Sequence, residues 1–272
     1  MDDRPIPLSK NFLQSALSTH YIGRPILYYP SIPSTNTLGF QVADTEMSHG
    51  TVILADHQTA GKGRLGRTWH SPKDTNLYFS IILTQLPCQS LISWIPLLTG
   101  VVLAECLEAV STLSISLKWP NDVLCHDKKL GGILCEVRQK GVGKGVCVIG
   151  IGININCNKD DFPSELSPTA TSLAIESHRT YHCHNLLTLF LENFESQYEH
   201  LLTSGTYDLR SQYILRCQTL KQAVLVHSMT GTQVKGQAVN IGEDGALQIV
   251  TSENSKSGTM TSIRSGDVFH VR

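Results

Sequence analysis

The sequence predicts an α+β protein: a mixed β-sheet with helices packed on one face, followed by a small C-terminal β-barrel. Three observations lead there. Two long segments carry apolar residues at helical spacing, Leu97, Val101, Ala104 and Leu107 in the first and Leu187, Phe190, Phe194, Tyr198 and Leu201 in the second. Apolar strand-like runs cluster between them, at roughly 114–118, 130–139 and 145–153, which calls for a sheet that those helices cover. From about residue 221 the texture changes to short β-like runs separated by turn signals such as Gly242-Glu243-Asp244-Gly245.

Taken in chain order, residues 1–25 form a short N-terminal segment with room for one helix (Leu8, Phe12, Leu13, Leu17) that ends near Gly23 and Pro25. A main unit over 26–220 then begins with a strand at Ile26 to Pro30. Ser34-Thr35-Asn36 supplies N-cap chemistry for a helix over roughly 35–46. Thr51 to Ala55 reads as a buried strand leading into a Gly-rich loop at 56–74, and Asn76 to Leu83 alternates like a half-exposed strand. Ser93 and Pro96 start the first long helix, which runs to about Val110. The runs at 130–139 and 145–153 join through Lys140-Gly141-Val142-Gly143, and the second long helix spans about 184–202. The last unit, 221–272, contains β-like runs at Ala223 to His227, Gln233 to Ile241, Ala246 to Val250, Gly258 to Ile263 and Val268 to Val271.

The bulk numbers exclude several function classes. A formal net charge of -1, from 22 Lys+Arg against 23 Asp+Glu, creates no global field toward nucleic acid or anionic lipid, so any electrostatic function is local. The opening Met1-Asp2-Asp3-Arg4-Pro5 lacks the basic start and apolar run of a signal peptide, and no stretch approaches the ~20 apolar residues of a membrane span, so the expectation is a cytoplasmic protein with no membrane partner. The eight cysteines are scattered without a C-x-x-C pair and several lie in apolar runs, as reduced, buried thiols do. His182-Cys183-His184 is the one cluster resembling metal ligands, and with no second ligand group nearby in sequence it reads as structural.

Four segments carry chemistry. In Gln58-Thr59-Ala60-Gly61-Lys62-Gly63-Arg64-Leu65-Gly66-Arg67-Thr68-Trp69, three glycines interleave with three cations. Glycine permits positive φ and close backbone approach, so N–H groups and the charges of Lys62, Arg64 and Arg67 can converge on a carboxylate or phosphate, although a merely solvated basic loop has the same composition. The order of a P-loop is absent. Lys118-Trp119-Pro120-Asn121-Asp122 presents an amide and a carboxylate in a turn at a strand end. Lys128-Lys129-Leu130-Gly131-Gly132-Ile133-Leu134 sets a cation before a strand whose glycines admit close approach, and Gly150-Ile151-Gly152-Ile153-Asn154 leaves room beside a strand for a flat ligand.

Together with Ser34-Thr35-Asn36, and in this order and spacing over residues 31–156, these segments make the chain similar to the biotin protein ligases. The resemblance implies the biotin/lipoate ligase-like catalytic domain followed by a small SH3-like β-barrel. It implies an ATP-dependent, AMP-forming enzyme that makes biotinyl-5′-AMP and passes biotin to a lysine of a biotin carboxyl carrier protein or domain, such as that of acetyl-CoA carboxylase. Ser34, Thr35, Asn36 and Gln58 would bind biotin's ureido end, with Gly61, Lys62, Gly63, Gly132, Gly150 and Gly152 completing the pocket and Trp69 packing over the ligand's chain. Arg64 and Lys129 would bring the biotin carboxylate and the α-phosphate together, with Arg67 on the phosphates. Lys118, Asn121, Asp122 and Asn154 would face ATP, Asp122 beside the nucleotide or its Mg²⁺.

Where the commonest form of that family's loop has Gly-Arg-Gly-Arg, this chain has Lys62 and then Leu65, and lysine keeps the charge but loses the planar two-pronged donor. The roughly 30 residues before the first motif are too few for the winged-helix domain of family members that also act as repressors, so no DNA binding is expected. Lipoate ligases share the fold and the adenylation chemistry, but their Arg-rich loop pattern is absent here. A non-catalytic biotin binder is the reading from another class, and transfer to a carrier separates the two. An exposed sheet edge would permit a homodimer.

Overall fold

The computed structural model describes residues 15–44, 49–141, 144–227, 233–251 and 259–271. Of the expected N-terminal helix, Leu8, Phe12 and Leu13 lie outside these, as do Val142 and Gly143 of the expected turn. A seven-stranded sheet in the order β1-β2-β3-β7-β6-β5-β4 forms the body of the molecule. It contains β1 (Ile26–Tyr29), β2 (Val52–Ala55), β3 (Leu77–Leu83), β4 (Ile115–Lys118), β5 (Asp122–Cys125), β6 (Lys128–Gly141) and β7 (Lys144–Ile153). Strands β1 and β2 pair in parallel through the crossover helix α1 (Thr35–Ala43), and every other pair is antiparallel, so the sheet is mixed.

Between them, α2 (Gln89–Ile92) and α3 (Ile95–Ser111) lead across one face of the sheet, and α5 (Cys183–Ser204) and α6 (Tyr207–Arg216) complete that layer after the short α4 (Leu173–Ser177). The predicted stripes are the packing faces. Leu97, Leu98, Val101, Val102, Ala104 and Leu107 are buried with Leu187, Phe190, Phe194, Tyr198 and Leu201 in one cluster. Phe190 meets Phe79 of β3 edge-on at 5.4 Å. Contrary to the expectation that no stretch approaches a membrane span, Ser90–Ser111 is long and apolar enough to cross one by length and composition. Here its apolar side chains fill the core between sheet and helices.

Two expectations need correction. Strand β3 is buried along its whole length rather than half-exposed. Its Leu77, Phe79, Ile81 and Leu83 face the long helices, while Ile82 joins Ile53, Ala55, Val146 and Val148 in a second cluster under Leu38, Phe40 and Val42 of α1. The long helices thus lie on one face as expected, and α1 adds a smaller cover on the other. The cysteines are all free and six of them are buried, but Cys88 is exposed. Strand β5 was not expected as a separate element. It forms a hairpin with β6 through His126 and Asp127, both at positive φ (47° and 66°), a two-residue turn that His-Asp does not advertise in sequence.

Residues 15–25 are tied to α5 by a buried carboxylate. Glu195 accepts from the backbone N–H groups of His20 (2.6 Å), Tyr21 (2.9 Å) and Ile22 (2.8 Å). The C-terminal strands β8 (Ala223–His227), β9 (Gln233–Ile241), β10 (Leu247–Thr251), β11 (Thr259–Ile263) and β12 (Asp267–His270) form an antiparallel sheet in the order β11-β10-β9-β8-β12. It is docked through its own turn: Trp94 Nε1 donates to Glu243 O (2.8 Å), Trp119 Nε1 to Gly245 O (3.1 Å) and Arg210 Nε to Ile241 O (2.7 Å). This docking brings β12 alongside the basic loop of the main unit.

Candidate active site

A cleft of about 760 Å³ opens at the sheet between β6, β7, the basic loop and β12. All but one of the residues that the resemblance assigns to biotin or ATP line it; the exception is Gly61. A Cβ on Gly61 would lie 2.6 Å from Trp69 O, so this glycine lets the loop fold back on itself instead of facing the cleft.

One end of the cleft is a polar network set in an apolar wall. Ser34 caps α1, accepting from Thr37 N at 3.5 Å, and so fixes the first turn that carries Thr35 and Asn36. Gln58 Oε1 accepts from Thr35 N (2.9 Å) and Thr35 Oγ1 (3.2 Å), and Gln58 Nε2 donates to Ser71 Oγ (3.3 Å). Asn36 donates through Nδ2 to Leu134 O (3.1 Å) and Glu136 Oε2 (2.8 Å). The Ser80 hydroxyl has two acceptors in reach, Thr35 Oγ1 at 2.7 Å and Asn36 Oδ1 at 2.6 Å. Sequence reasoning missed Ser80 and Glu136. A serine inside the apolar run Leu77-Tyr78-Phe79-Ser80-Ile81-Ile82 was a usable signal, since a buried hydroxyl needs partners.

The glycines make room for side chains of the protein itself. A Cβ on Gly150 would lie 2.1 Å from Asn36 Oδ1, and one on Gly152 would lie 2.5 Å from the Trp69 indole, which also lies 2.9 Å from a Cβ on Gly132. Trp69 therefore lies across the glycine-lined floor, and its buried Nε1 has no hydrogen-bond partner among the described residues.

The other end is charged. Lys62, Arg64, Arg67, Lys118 and Lys129 line it together with Asp122, Asp127 and Asp267. Lys129 Nζ lies 2.6 Å from Asp122 Oδ1 and 5.6 Å from the centre of a Trp69 ring. Arg64 donates to Asn121 Oδ1 (2.9 Å) and to Gly266 O (3.2 Å), and Asn121 Nδ2 is anchored on Ile133 O (3.0 Å). Burial lowers the Arg64 guanidinium below its ordinary value, Asp122 opposing; arginine still keeps its charge throughout the accessible range. Burial likewise pulls the Lys118 ammonium down, with Asp122 opposing and Lys129 and Arg67 adding to the fall. Arg67 pairs with Asp267. At the far wall, Asn154 donates to Thr171 O at 3.0 Å. The contribution of Gly266 and Asp267 was invisible in sequence, because nothing local ties residues some 200 positions apart.

The basic loop is shaped by its own backbone. Gly63 N donates to Arg67 O (2.7 Å) and Trp69 N to Gly61 O (2.9 Å), closing a narrow hairpin around the 3₁₀ turn Arg64–Gly66. Leu65 takes the left-handed conformation at φ 56° there. Away from the cleft, Cys125, His126 and Glu176 bring ligand-type atoms within 4.8 Å of one another. Glu176 already accepts from Thr171 Oγ1 (2.5 Å) and bonds His126 Nδ1 (2.6 Å), so two of the three groups are engaged within the protein. The His182 and His184 rings lie tilted with centroids 5.4 Å apart, on either side of buried Cys183 in the chain.

A cleft that joins a buried amide and hydroxyl network to a set of cations matches a ligand with a neutral polar head and an anionic tail. Comparison with known proteins agrees. The Biotin/lipoate A/B protein ligase family matches residues 28–154. The Bifunctional ligase/repressor BirA of Bacillus spizizenii is 33% identical over 257 residues, spanning 93% of this chain and 78% of that protein. The Biotin--[acetyl-CoA-carboxylase] ligase of Mycobacterium tuberculosis is 31% identical over 228 residues, spanning 82% of this chain and 80% of that one. Among solved structures, the biotin protein ligase from Aquifex aeolicus in complex with biotin and ATP superposes with a TM-score of 0.78 at 28% identity, covering 92% of this chain and 99% of that chain. With its sheet, its cleft and relatives of this identity and coverage in agreement, the chain belongs to the biotin protein ligase family.

Proposed function

We propose that this protein activates biotin with ATP to biotinyl-5′-AMP and transfers the biotin to a specific lysine of a biotin carboxyl carrier protein or domain, releasing AMP. The observation that carries the reading is the junction, inside one cleft, of the Thr35–Gln58–Ser80–Asn36 network with the cations Arg64, Arg67, Lys118 and Lys129. The ureido ring of biotin is read as sitting at Ser34, Thr35 and Gln58, because a buried ring with both N–H and C=O groups needs partners of both kinds. Trp69, with its unpartnered Nε1, then covers the aliphatic chain, and the carboxylate reaches toward Arg64 and Lys129.

In the first half-reaction the biotin carboxylate attacks the α-phosphorus of ATP and pyrophosphate leaves. Two anions must meet and charge builds at phosphorus, so guanidinium and ammonium donors held in the cleft do most of the work by electrostatics and positioning. Arg64 is held for this by Asn121 and Lys129 by Asp122, while Lys118, Asn121, Asp122 and Asn154 are read as facing the nucleotide. In the second, the deprotonated acceptor ε-amine attacks the acyl carbon of the mixed anhydride, the C–N bond forms, AMP leaves with the former carboxylate–phosphate oxygen, and the amine's proton passes to Asp122 or solvent. No nucleophilic side chain of the enzyme is required.

Mg²⁺ is read as arriving with ATP. Asp122 offers a carboxylate among the cations of the cleft, the hard-oxygen chemistry this ion uses alongside phosphates. Bound there, the ion would neutralise phosphate charge. Residues 26–220 are read as the catalytic unit and 221–272 as a module that walls the cleft through β12. The test mixes the protein with ATP, Mg²⁺, biotin and a carrier domain and follows the carrier by mass spectrometry. One biotinyl mass on a single lysine supports the reading, and an unchanged carrier mass contradicts it.

A further inference from the structure

No residue from Lys62 to His70 is fully buried, and apart from Trp69, which packs over Gly132 and Gly152 at the loop's base, the segment 62–68 has no hydrophobic anchor of its own. Besides the backbone bonds of its narrow hairpin, the Trp69 packing and the bond of His70 Nε2 to Asp161 O (2.8 Å) at its base, it is held by three arginine contacts: Arg64 on Asn121 Oδ1 and Gly266 O, and Arg67 on Asp267. Two of these three contacts go to consecutive residues of the C-terminal module. That landing point is rigid. Asp267 begins β12, opposite His227 of β8, and Gly266 stands at φ 154° with the space of a Cβ filled by His227 O at 2.7 Å. The Asp267 side chain is 15% exposed against 59% for Arg67, so the carboxylate belongs to the wall and the guanidinium reaches in from solvent.

We propose that Asp267 is a positioning residue of the adenylation step: it stands in for the phosphates as the counter-charge of Arg67, holding the basic loop over the cleft until a nucleotide takes the guanidinium over. The proposal rests on the reading that this cleft binds ATP. A half-exposed ion pair is weak enough to be exchanged, and a triphosphate offers the same planar donor more charge and more acceptor oxygens. The exchange has two consequences. In the empty enzyme Asp267 keeps the loop in place, and during ATP binding it competes with the phosphates for Arg67.

The loop carries its own reporter, because Lys62, Arg64 and Arg67 are trypsin sites. Limited tryptic cleavage of the ligand-free protein, mapped by mass spectrometry, is compared for the unaltered chain, Asp267→Asn and Asp267→Glu, with thermal melting as a check on folding. An exposed pair of this kind shifts equilibria about two- to fivefold. Asp267→Asn is therefore expected to raise cleavage after Arg64 and Arg67 by about two- to fivefold and to lower KM for ATP by a similar factor without raising kcat. Asp267→Glu restores both toward the original. A loop cleaved no faster in Asp267→Asn, or a KM for ATP that does not fall, overturns the proposal. A global loss of stability would speed cleavage throughout the chain, and in that case Asp267→Glu decides: failure to restore loop protection in a normally melting variant also overturns it. Should the protein not turn over biotin and ATP at all, the ligase reading fails on that ground, while cleavage of the empty loop still tests the Arg67–Asp267 contact.

Discussion

Replacing Gly150 by alanine should damage both the fold and the biotin end of the cleft. The new methyl would lie 2.1 Å from Asn36 Oδ1, more than an ångström inside ordinary contact. Asn36 cannot swing away at no cost: it is 2% exposed, its Oδ1 is 2.6 Å from Ser80 Oγ, and its Nδ2 is bonded to Leu134 O and Glu136 Oε2. Strand β7 cannot retreat either, because Gly150 is paired with Ser80 on one side and Leu134 on the other. Losing two or three such bonds at about 1 kcal/mol each, together with overpacking, costs roughly 2–5 kcal/mol. For a chain of this size that lowers Tm by roughly 5–15 °C. If about 2–3 kcal/mol of it falls on the pocket, biotin affinity drops on the order of 10²-fold. Gly152→Ala is the control. Its methyl meets the Trp69 indole at 2.5 Å, but that ring rides on a loop without buried residues and can lift. Stability should then change by less than about 1 kcal/mol while turnover falls. Differential scanning calorimetry and biotin titration check both variants. Unaltered melting and biotin affinity in Gly150→Ala would show that the Asn36–Ser80 network is not the pinned element described here.

Arg64→Ala and Lys129→Ala should each slow biotinyl-adenylate formation by about 10²–10³ with little change in melting, measured as pyrophosphate release in a single turnover. Near-normal release in both would remove these cations from the chemistry. Lys118 loses its charge at lower pH than an ordinary lysine, so ATP binding should weaken as pH rises through that lowered value. Lys118→Arg should push the alkaline limb of the kcat/KM profile to higher pH, and an unmoved limb would assign it elsewhere. Burial pushes the Glu195 carboxyl up, but the N–H groups of His20, Ile22 and Tyr21 and the charge of His20 hold it below the ordinary value. Its contribution is thus complete above the unfolded carboxyl's pKa and fades as pH falls through the folded one. Glu195→Ala should cost about 2–3 kcal/mol in urea unfolding at neutral pH, with the gap to the unaltered chain narrowing toward acid. A gap that widens toward acid would contradict this.

The parts of the fold that were legible in sequence are those with strong periodicity. The stripes of α3 and α5, the buried run of β2 and the turn-punctuated runs of the C-terminal sheet all appear close to where the sequence put them. What escaped was set by tertiary surroundings. β3 alternates in composition yet is buried on both faces because α1 returns over it, and the His126-Asp127 turn adopts positive φ without glycine. The short helices α4 and α6 lack a repeating apolar face long enough to recognise. In the site, the motif residues converge on one cleft, since glycine and cation spacing is local information. The glycines proved to accommodate Asn36 and Trp69, and the partners Ser80, Glu136 and Asp267 come from distant strands, so sequence alone had no means of pairing them.

Most direct is isotope exchange between pyrophosphate and ATP, followed with no acceptor protein present. If Arg64 and Lys129 join a bound carboxylate to the α-phosphate, label should enter ATP only when biotin is added, and a biotin analogue with its carboxylate amidated should support none. Exchange without biotin, or none with it, would contradict the adenylation chemistry assigned to this cleft.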